Sequence, residues 1–395
     1  MKKKHLLLLS TALSFALITG CDKTKKSTDT VQTADSTSQQ TITEAKLPEA
    51  TAFESEIDGK QTSLFVLKNK NNYQAAITNY GARMVGFLAP DKNGKLVDLV
   101  IGFGSVAEFK ASAEPFFGAI VGRYGNRIAK GKFTLDGKNY TLDINNGVNT
   151  LHGGKTGFHN RVWEGTQIDS QTVQLKYISV DGEEGYPGTL TTIVTYNLND
   201  NNELKMSYEI STDKKTVVNV TNHNFWNLNG EGSGTINDHL MMVKAGKYTP
   251  VDSTLIPTGI EAVAGTPFDF TKPTTIGARV NDENNQLKYG KGYDHNFVLD
   301  KGITSTPEHI ATVIGDKSGI EMKILTTEPG LQFYGGNFMK SKNTMKSGAK
   351  DDFRTAFCLE TQHFPDSPNH PKFFTTVLEA GKTYKSVTIH QFTVK

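Results

Sequence analysis

The segment FCLETQ, at residues 357–362, carries one carboxylate in an otherwise uncharged, strand-like stretch. Side chains alternate across a strand, so Glu360 shares a face with Cys358 and Gln362 while the apolar residues point to the other face. A buried carboxylate is costly unless it is paired or functional. Glu360 is therefore a candidate functional residue, and an ion pair with an arginine is the structural alternative.

A second polar stretch, NVTNHNFWNL at residues 219–228, contains an imidazole. If the strand that starts at the preceding valines continues, Asn219, Thr221 and His223 share one face. A polar row inside a large sheet needs hydrogen-bond partners, which either a ligand or a purely structural network supplies. An imidazole and a carboxylate, with reference pKa values near 6.5 and 4.3, can together donate and accept protons around neutral pH.

Four further segments combine glycines or aromatic residues with groups that hydrogen-bond to oxygen-rich ligands. Arginine offers a fixed fork of donors, and paired glycines let backbone and ligand approach closely. Aromatic faces cover the apolar faces of sugar rings. Taken singly, each segment is also compatible with a surface loop, a turn or core packing. The segments are GRYGNRI at 122–128, LHGG at 151–154, GYDHNF at 292–297 and PGLQFY at 329–334.

Short runs in which apolar and polar residues alternate dominate the chain from residue 62 onward. The elements that these runs form must position the groups described above. Clear examples are Val173–Ile178, Leu190–Leu198 and Leu204–Ile210. The Asp136-Gly137 pair between two further runs predicts a tight hairpin turn. The 37 glycines and many turn signals leave little room for long helices. The pattern predicts an all-β fold of antiparallel strands, a sandwich or barrel.

These six segments, in this order and at this spacing, resemble the aldose 1-epimerase (galactose mutarotase) family. The similarity extends from about residue 60 to the C-terminus, and the six elements together are highly specific. It implies a large antiparallel β-sandwich with an open sugar-binding cleft. It also implies an isomerase that interconverts the α and β anomers of free aldoses, such as galactose and glucose, without a metal or organic cofactor. The matching elements are Gly-x-x-x-Asn-Arg-Ile, Leu-His-Gly-Gly, Thr-Asn-His, Asp-His-Asn-Phe, Pro-Gly-x-Gln-Phe-Tyr and Leu-Glu-Thr-Gln.

The resemblance also implies roles for individual residues. Glu360 matches the general base and His223 the general acid. The base removes the proton of the O1 hydroxyl while the acid protonates the ring oxygen O5, so the ring opens, and the reverse steps close it. Relatives often have tyrosine at the position of Phe225, so a contact of that hydroxyl is absent or replaced in this chain. The implied substrate contacts are Asn126, Arg127, His152, Asn224, Phe225, Asp294 and Gln332.

The first residues are typical of an export signal. Three lysines at 2–4 precede an apolar run at 6–18, which is shorter than the roughly 20 residues that span a bilayer. ITGC at 18–21 resembles a bacterial lipobox, in which the cysteine is lipidated. We therefore predict a signal peptide at 1–20 and export to a bacterial membrane through a lipid on Cys21, with a plain cleaved signal as the alternative.

Residues 21–49 are rich in Thr, Ser, Lys, Asp and Gln and contain no aromatic residue, so they predict a flexible tether before a domain at 50–395. Removal of the signal changes the formal net charge from +2 to −1, which leaves no basic field for nucleic acid. The predicted partners are an aldose and, through the anchor alone, a membrane. Cys358 then has no intramolecular disulfide partner, and a domain of this size is stabilised by core burial.

Three other functions compete with the isomerase. A non-catalytic carbohydrate-binding lipoprotein on the same fold has no need of both Glu360 and His223. A metal hydrolase using His152, His159 and His223 is disfavoured because no two of them have a recognised ligand spacing. A hexose-6-phosphate epimerase calls for additional basic residues around the phosphate, which the sequence pattern does not identify.

Overall fold

The predicted period-two runs form strands, because alternation lets each strand bury one face and expose the other. Every second residue is buried along Leu190–Leu198 and along Glu203–Thr212. Asp136 and Gly137 both have positive φ, and they join Lys132–Leu135 to Lys138–Thr141 as the predicted two-residue hairpin. The structure is a computed structural model, and it describes residues 45–395.

These described residues contain 28 strands and two short α-helices. Each helix is capped by a polar side chain, Ser105 before α1 (Val106–Ala111) and Asn284 before α2 (Asn285–Gly290). Strands β1 to β28, in chain order, are Glu56–Ile57, Lys60–Gln61, Leu64–Lys68, Gln74–Thr78, Arg83–Pro90, Leu96–Asp98, Ile120–Val121, Arg127–Ile128, Lys132–Leu135, Lys138–Thr141, Thr150–Leu151, Glu164–Asp169, Thr172–Ser179, Leu190–Leu198, Glu203–Thr212, Thr216–Val217, Thr221–Asn222, Leu240–Val243, Lys247–Thr249, Glu261–Ala262, Thr274–Thr275, Asp294–Val298, Glu308–Ile314, Ile320–Thr326, Gly330–Tyr334, Cys358–Gln362, Val377–Leu378 and Thr383–Val394.

Three large sheets carry the architecture. The largest has nine strands in the order β12-β13-β14-β15-β28-β24-β23-β18-β21. A five-stranded sheet has the order β20-β19-β22-β25-β26, and a four-stranded sheet has the order β3-β4-β5-β6. Neighbouring strands in all three sheets pair antiparallel. The predicted all-β, antiparallel sandwich is therefore confirmed.

The main core lies between the sheets and is rich in aromatic residues. Phe87 of β5 stacks on Phe392 of β28 with ring centroids 4.5 Å apart, and Trp226 packs against both rings. These three side chains are buried, and they join the four-stranded sheet to the nine-stranded sheet. Burial of such large aromatic surfaces is the main stabilising contribution in a fold of this kind.

The folded unit begins before the predicted domain boundary at residue 50. The described residues, 45–395, form one compact unit, and Leu47 packs against the buried cluster around Phe53. The last residues of the predicted tether, 45–49, thus belong to this unit. The predicted signal peptide, the lipidation site Cys21 and the rest of the tether lie outside the described residues. Neither helix within 45–395 has the length and hydropathy needed to span a membrane.

Candidate active site

Glu360 lies in the middle of β26, which pairs with β25, which in turn pairs with β22. Its direct neighbour across the ladder is Gln332, whose own neighbour is Asn296. As the alternation predicted, Cys358 and Gln362 share the face of Glu360. Only 2% of Glu360 is exposed, so its carboxylate is almost fully removed from water.

His223 follows β17, which pairs with β7. Its backbone N–H donates to Ala119 O at 2.8 Å, and its carbonyl oxygen accepts from Gly118 N at 3.0 Å. A further pair of backbone hydrogen bonds, between Trp226 and Phe357, holds this segment against the start of β26. The two segments, far apart in sequence, thereby bring Nε2 of His223 to 3.6 Å from Oε1 of Glu360.

Burial shifts both groups toward their neutral forms. Desolvation raises the pKa of Glu360 well above its ordinary value, the negative charge of Asp294 raises it further, and Arg127 opposes both effects. Desolvation lowers the pKa of His223 to about 4, against a backbone hydrogen bond that favours the charged form. Burial therefore favours the protonated carboxyl group of Glu360 and the neutral imidazole of His223 over their charged forms.

His152 is fixed by a reciprocal contact with Asn126. The pairing of β8 with β11 places the two residues opposite each other, and His152 N donates to Asn126 O at 3.1 Å. Asn126 N in turn donates to Nδ1 of His152 at 3.1 Å. Both residues have positive φ, and the next residue, Gly153, has no room for a side chain because a Cβ would lie 1.8 Å from Gly122 O.

The hydrogen bond to Nδ1 determines which ring nitrogen of His152 can donate to a ligand. Because Nδ1 accepts the hydrogen bond from Asn126 N, the neutral ring carries its own proton on Nε2. Burial, and then the neighbouring His223, lowers the pKa of His152 well below its ordinary value, so this neutral form prevails. His152 is thus a donor to a ligand oxygen.

The same tautomer argues against a metal ion. Ligand atoms of His152, His223 and Glu360 lie within 4.8 Å of one another, a grouping that the sequence spacing did not reveal. Two histidines and a glutamate are a common donor set for zinc. In His152, however, the Nδ1 lone pair is taken by Asn126 N and Nε2 is protonated, so neither nitrogen is free to coordinate.

Asp294 and Arg127 form the polar wall beside Glu360. Nη1 of Arg127 lies 3.9 Å from Oδ2 of Asp294, and Gln332 donates from Nε2 to Oδ1 of Asp294 at 2.7 Å. Burial raises the pKa of Asp294 against the opposing effects of Arg127 and Gln332. Nε of Arg127 donates to Oδ1 of Asn146 at 3.2 Å, which fixes the plane of the guanidinium group.

Seven of the nine predicted site residues line one pocket of about 830 Å³, and these are Asn126, Arg127, His152, His223, Phe225, Asp294 and Glu360. Gln332 does not line it, but it donates a hydrogen bond to Asp294, which does. Asn224 does not line it either: it is buried, and it lies between His223 and Phe225, which do. The sugar contact by Asn224 stays a prediction.

The profile of the family described as aldose 1-epimerase matches residues 63–391 of the chain. Galactose mutarotase of Sus scrofa is 42% identical over 319 residues, which cover 80% of this chain and 90% of the relative. The chain belongs to the aldose 1-epimerase family. Aldose 1-epimerase of Escherichia coli K12 is 36% identical over 339 residues, which cover 85% of this chain and 96% of that protein.

Solved structures agree with this membership of the aldose 1-epimerase family. A GalM/aldose epimerase homologue from C. elegans superposes with a TM-score of 0.76 at 30% identity, covering 84% of this chain and 99% of the other. Galactose 1-epimerase from Lactobacillus acidophilus NCFM gives a TM-score of 0.75 at 26% identity, covering 86% and 97%.

Sequence reasoning missed two contacts of this aldose 1-epimerase site. The ring of Phe116 packs 4.6 Å from that of His152 and 5.9 Å from that of His223, although no motif singled it out. Sγ of Cys358 lies 3.5 Å from Nδ1 of His223, and burial raises the pKa of this thiol so that it stays neutral. The alternation in β26 placed Cys358 beside Glu360, but only the folded chain brings His223 to it.

Proposed function

We propose that this chain is an aldose 1-epimerase that interconverts the α and β anomers of free aldoses by acid and base catalysis. The observation that carries the proposal is the 3.6 Å approach of Nε2 of His223 to Oε1 of Glu360 in one pocket. Anomer exchange requires a proton acceptor at O1 and a proton donor at O5, two oxygens attached to the same carbon. Two groups this close can serve both oxygens of one sugar.

In the proposed reaction, Glu360 as carboxylate takes the O1 proton and His223 as imidazolium gives its Nε2 proton to O5. The C1–O5 bond breaks and C1 becomes an aldehyde carbon. Rotation about C1–C2 presents the other face of the aldehyde. Glu360 then returns its proton to the aldehyde oxygen while His223 recovers the proton of the 5-hydroxyl, and the ring closes as the opposite anomer.

The protonation states of Glu360 and His223 before and after ring opening explain why their burial is compatible with catalysis. Ring opening converts Glu360 carboxylate and His223 imidazolium into a protonated carboxyl group and a neutral imidazole. The second form is the one that burial of the two side chains favours before a ligand binds. A bound sugar supplies hydrogen bonds to the charged form, which replace those that water would make. Each turnover therefore needs no proton from bulk solvent.

The remaining polar wall has an orienting role in this proposal. Arg127 and the Nε2–H of His152 donate to sugar hydroxyls, and Asp294 accepts from them. Gln332 holds Asp294 in place through its 2.7 Å hydrogen bond. Orientation of this kind contributes to the rate because the reacting atoms must be aligned before the proton transfers occur.

Polarimetry on freshly dissolved α-D-galactose and α-D-glucose tests the activity. The protein is expected to speed the approach to the equilibrium rotation in proportion to its concentration. The heat-inactivated protein and the buffer alone give the spontaneous rate. Rotation that changes at the spontaneous rate for both sugars, together with binding of either sugar by calorimetry, would favour a non-catalytic carbohydrate-binding protein.

We further propose that the protein is exported and anchored by a lipid on Cys21. The lysines at 2–4, the apolar run at 6–18 and the ITGC sequence at 18–21 support this. Cells fed radioactive palmitate are expected to label the wild-type chain in the membrane fraction and not a Cys21→Ala variant. Equal labelling of both, or wild-type protein found only in the soluble fraction, would contradict the anchor.

A further inference from the structure

Glu114 is a carboxylate on the wall of the same pocket that the proposed reaction leaves unused. It is half-buried and lines the pocket together with Phe116. Within the described residues, the Glu114 carboxylate accepts one long hydrogen bond, from Phe116 N to Oε1 at 3.3 Å. A carboxylate accepts up to about four hydrogen bonds, so most of its capacity remains for a ligand.

The wall that carries Glu114 is held by a buried arginine. Arg83 is 1% exposed, and its Nη2 donates to Pro115 O at 3.2 Å and to His159 O at 2.9 Å. Its Nη1 donates to Phe117 O, and its Nε to a further backbone carbonyl. The guanidinium group is thus bound to backbone oxygens and does not form an ion pair with Glu114. It fixes Pro115 and Phe117, which follow Glu114 in the chain, as a selective contact requires.

The position of Glu114 has an energetic cost that a ligand can offset. Burial raises the pKa of Glu114 to about 7, and the neighbouring Asp351 adds to the increase, against the hydrogen bond from Phe116 N and the positive charge of Arg83. A partly desolvated carboxylate without a paired cation loses hydration, and sugar hydroxyl groups restore hydrogen bonds to it.

Glu114 lies toward the His223 end of the catalytic pair. Phe116, two residues along the chain, packs on the rings of His152 and His223, with ring centroids 4.6 and 5.9 Å away. Burial raises the pKa values of Tyr334 and Cys358, the negative charge of Glu114 adds to both increases, and the sulfur of Cys358 contacts Nδ1 of His223. In the proposed reaction His223 faces O5. The next atoms of the sugar beyond O5 are C5 and its substituent C6.

We propose that Glu114 accepts a hydrogen bond from the 6-hydroxyl group of aldohexoses and so selects them over pentoses and 6-deoxy sugars. This rests on the proposed epimerase function and on His223 facing O5. Hydrogen bonds to a charged group are worth about 1.5–3 kcal/mol, which corresponds to roughly 10- to 150-fold in kcat/KM.

The test compares galactose with 6-deoxygalactose, which differ only in the 6-hydroxyl. Wild type, Glu114→Gln and Glu114→Ala are assayed by polarimetry on both sugars, with Glu164→Gln, an exposed residue outside the pocket, as the control. We expect Glu114→Ala to lose about 10-fold or more in kcat/KM on galactose and under about 2-fold on 6-deoxygalactose. The glutamine variant, which still accepts one hydrogen bond, is expected to lie between.

Each other outcome has a distinct meaning. Equal losses on both sugars in a folded Glu114→Gln variant would overturn the 6-hydroxyl contact, because the effect then does not depend on that group. Unchanged galactose kinetics in that variant would overturn it as well. Wild-type protein that accelerates neither sugar would instead refute the epimerase function itself.

Discussion

A Glu360→Gln variant is expected to lose about 10²- to 10⁴-fold in kcat while keeping its fold, which is the usual contribution of a general base. Glutamine has nearly the shape of glutamate and can hydrogen-bond to O1, but it cannot take a proton from it. KM should therefore change much less than kcat. Polarimetry on α-D-galactose measures both constants, and near-wild-type turnover would remove Glu360 from the role of base.

The same substitution is expected to make the protein more stable at neutral pH. Burial raises the pKa of Glu360 in the folded state above its unfolded value. The stability that this shift contributes is present below the unfolded pKa, about 4.3, and is lost as pH rises through the folded pKa. Glutamine has no proton to lose, so the Tm of the variant should exceed that of wild type by a margin that grows with pH.

Thermal melts of wild type and Glu360→Gln at pH 4 and pH 8 check the direction of this effect. Glu164→Gln, which changes an exposed carboxylate in the same way, should leave the Tm unchanged at both values. A Tm for Glu360→Gln that lies below the wild-type value at pH 8 would mean that the carboxylate stabilises the fold through a pairing interaction. The lost activity would then have a structural explanation.

The sequence predicted best those features that depend on short-range patterns. Alternation identified the long strands, and it placed Glu360 and Cys358 on one face of β26, because the side-chain period of a strand is fixed by its backbone. The Asp136-Gly137 hairpin was predictable for the same reason, since these residue types favour positive φ. The six site segments were each recognisable as motifs of a few residues.

What the sequence could not supply are the distances across the fold. The 3.6 Å separation of His223 and Glu360 depends on backbone pairing between Trp226 and Phe357, which no local pattern encodes. The extension of the site to Glu114 was missed because its wall is fixed by Arg83, whose partners are backbone oxygens rather than side chains of a motif.

The sugar contact by Asn224 stays a prediction, because the structure buries this residue beside the pocket without placing it in the lining. Asn224 directly follows His223, the last residue of the Thr-Asn-His element, and the family resemblance implied that it contacts the sugar. Successive side chains of an extended chain point to opposite sides, so a residue directly after one that faces the pocket tends to face away. The pocket lining contains the residues before and after Asn224 and omits Asn224 itself.

Replacement of His223 by asparagine is expected to lower kcat by about 10²- to 10⁴-fold, because an amide can hydrogen-bond to O5 but cannot protonate it. Sugar binding should be much less affected, since Arg127, Asp294 and His152 line the pocket independently. Without the acid, cleavage of the C1–O5 bond leaves O5 as an alkoxide, which is a poor leaving group. The loss should therefore appear in kcat on every aldose that the wild-type protein accepts, measured by polarimetry at saturating sugar.

His239→Asn is a matched control that tests whether the loss of kcat in His223→Asn comes from a damaged fold. His239 is buried like His223, burial lowers the pKa of both to about 4, and Nε2 of His239 accepts from Leu228 N at 3.0 Å. It does not line the pocket. His239→Asn should lower Tm and leave the kcat of the folded protein unchanged, whereas His223→Asn should lower kcat in protein that remains folded. If His223→Asn instead lowers Tm alone, His223 belongs to a structural network and another group must protonate O5.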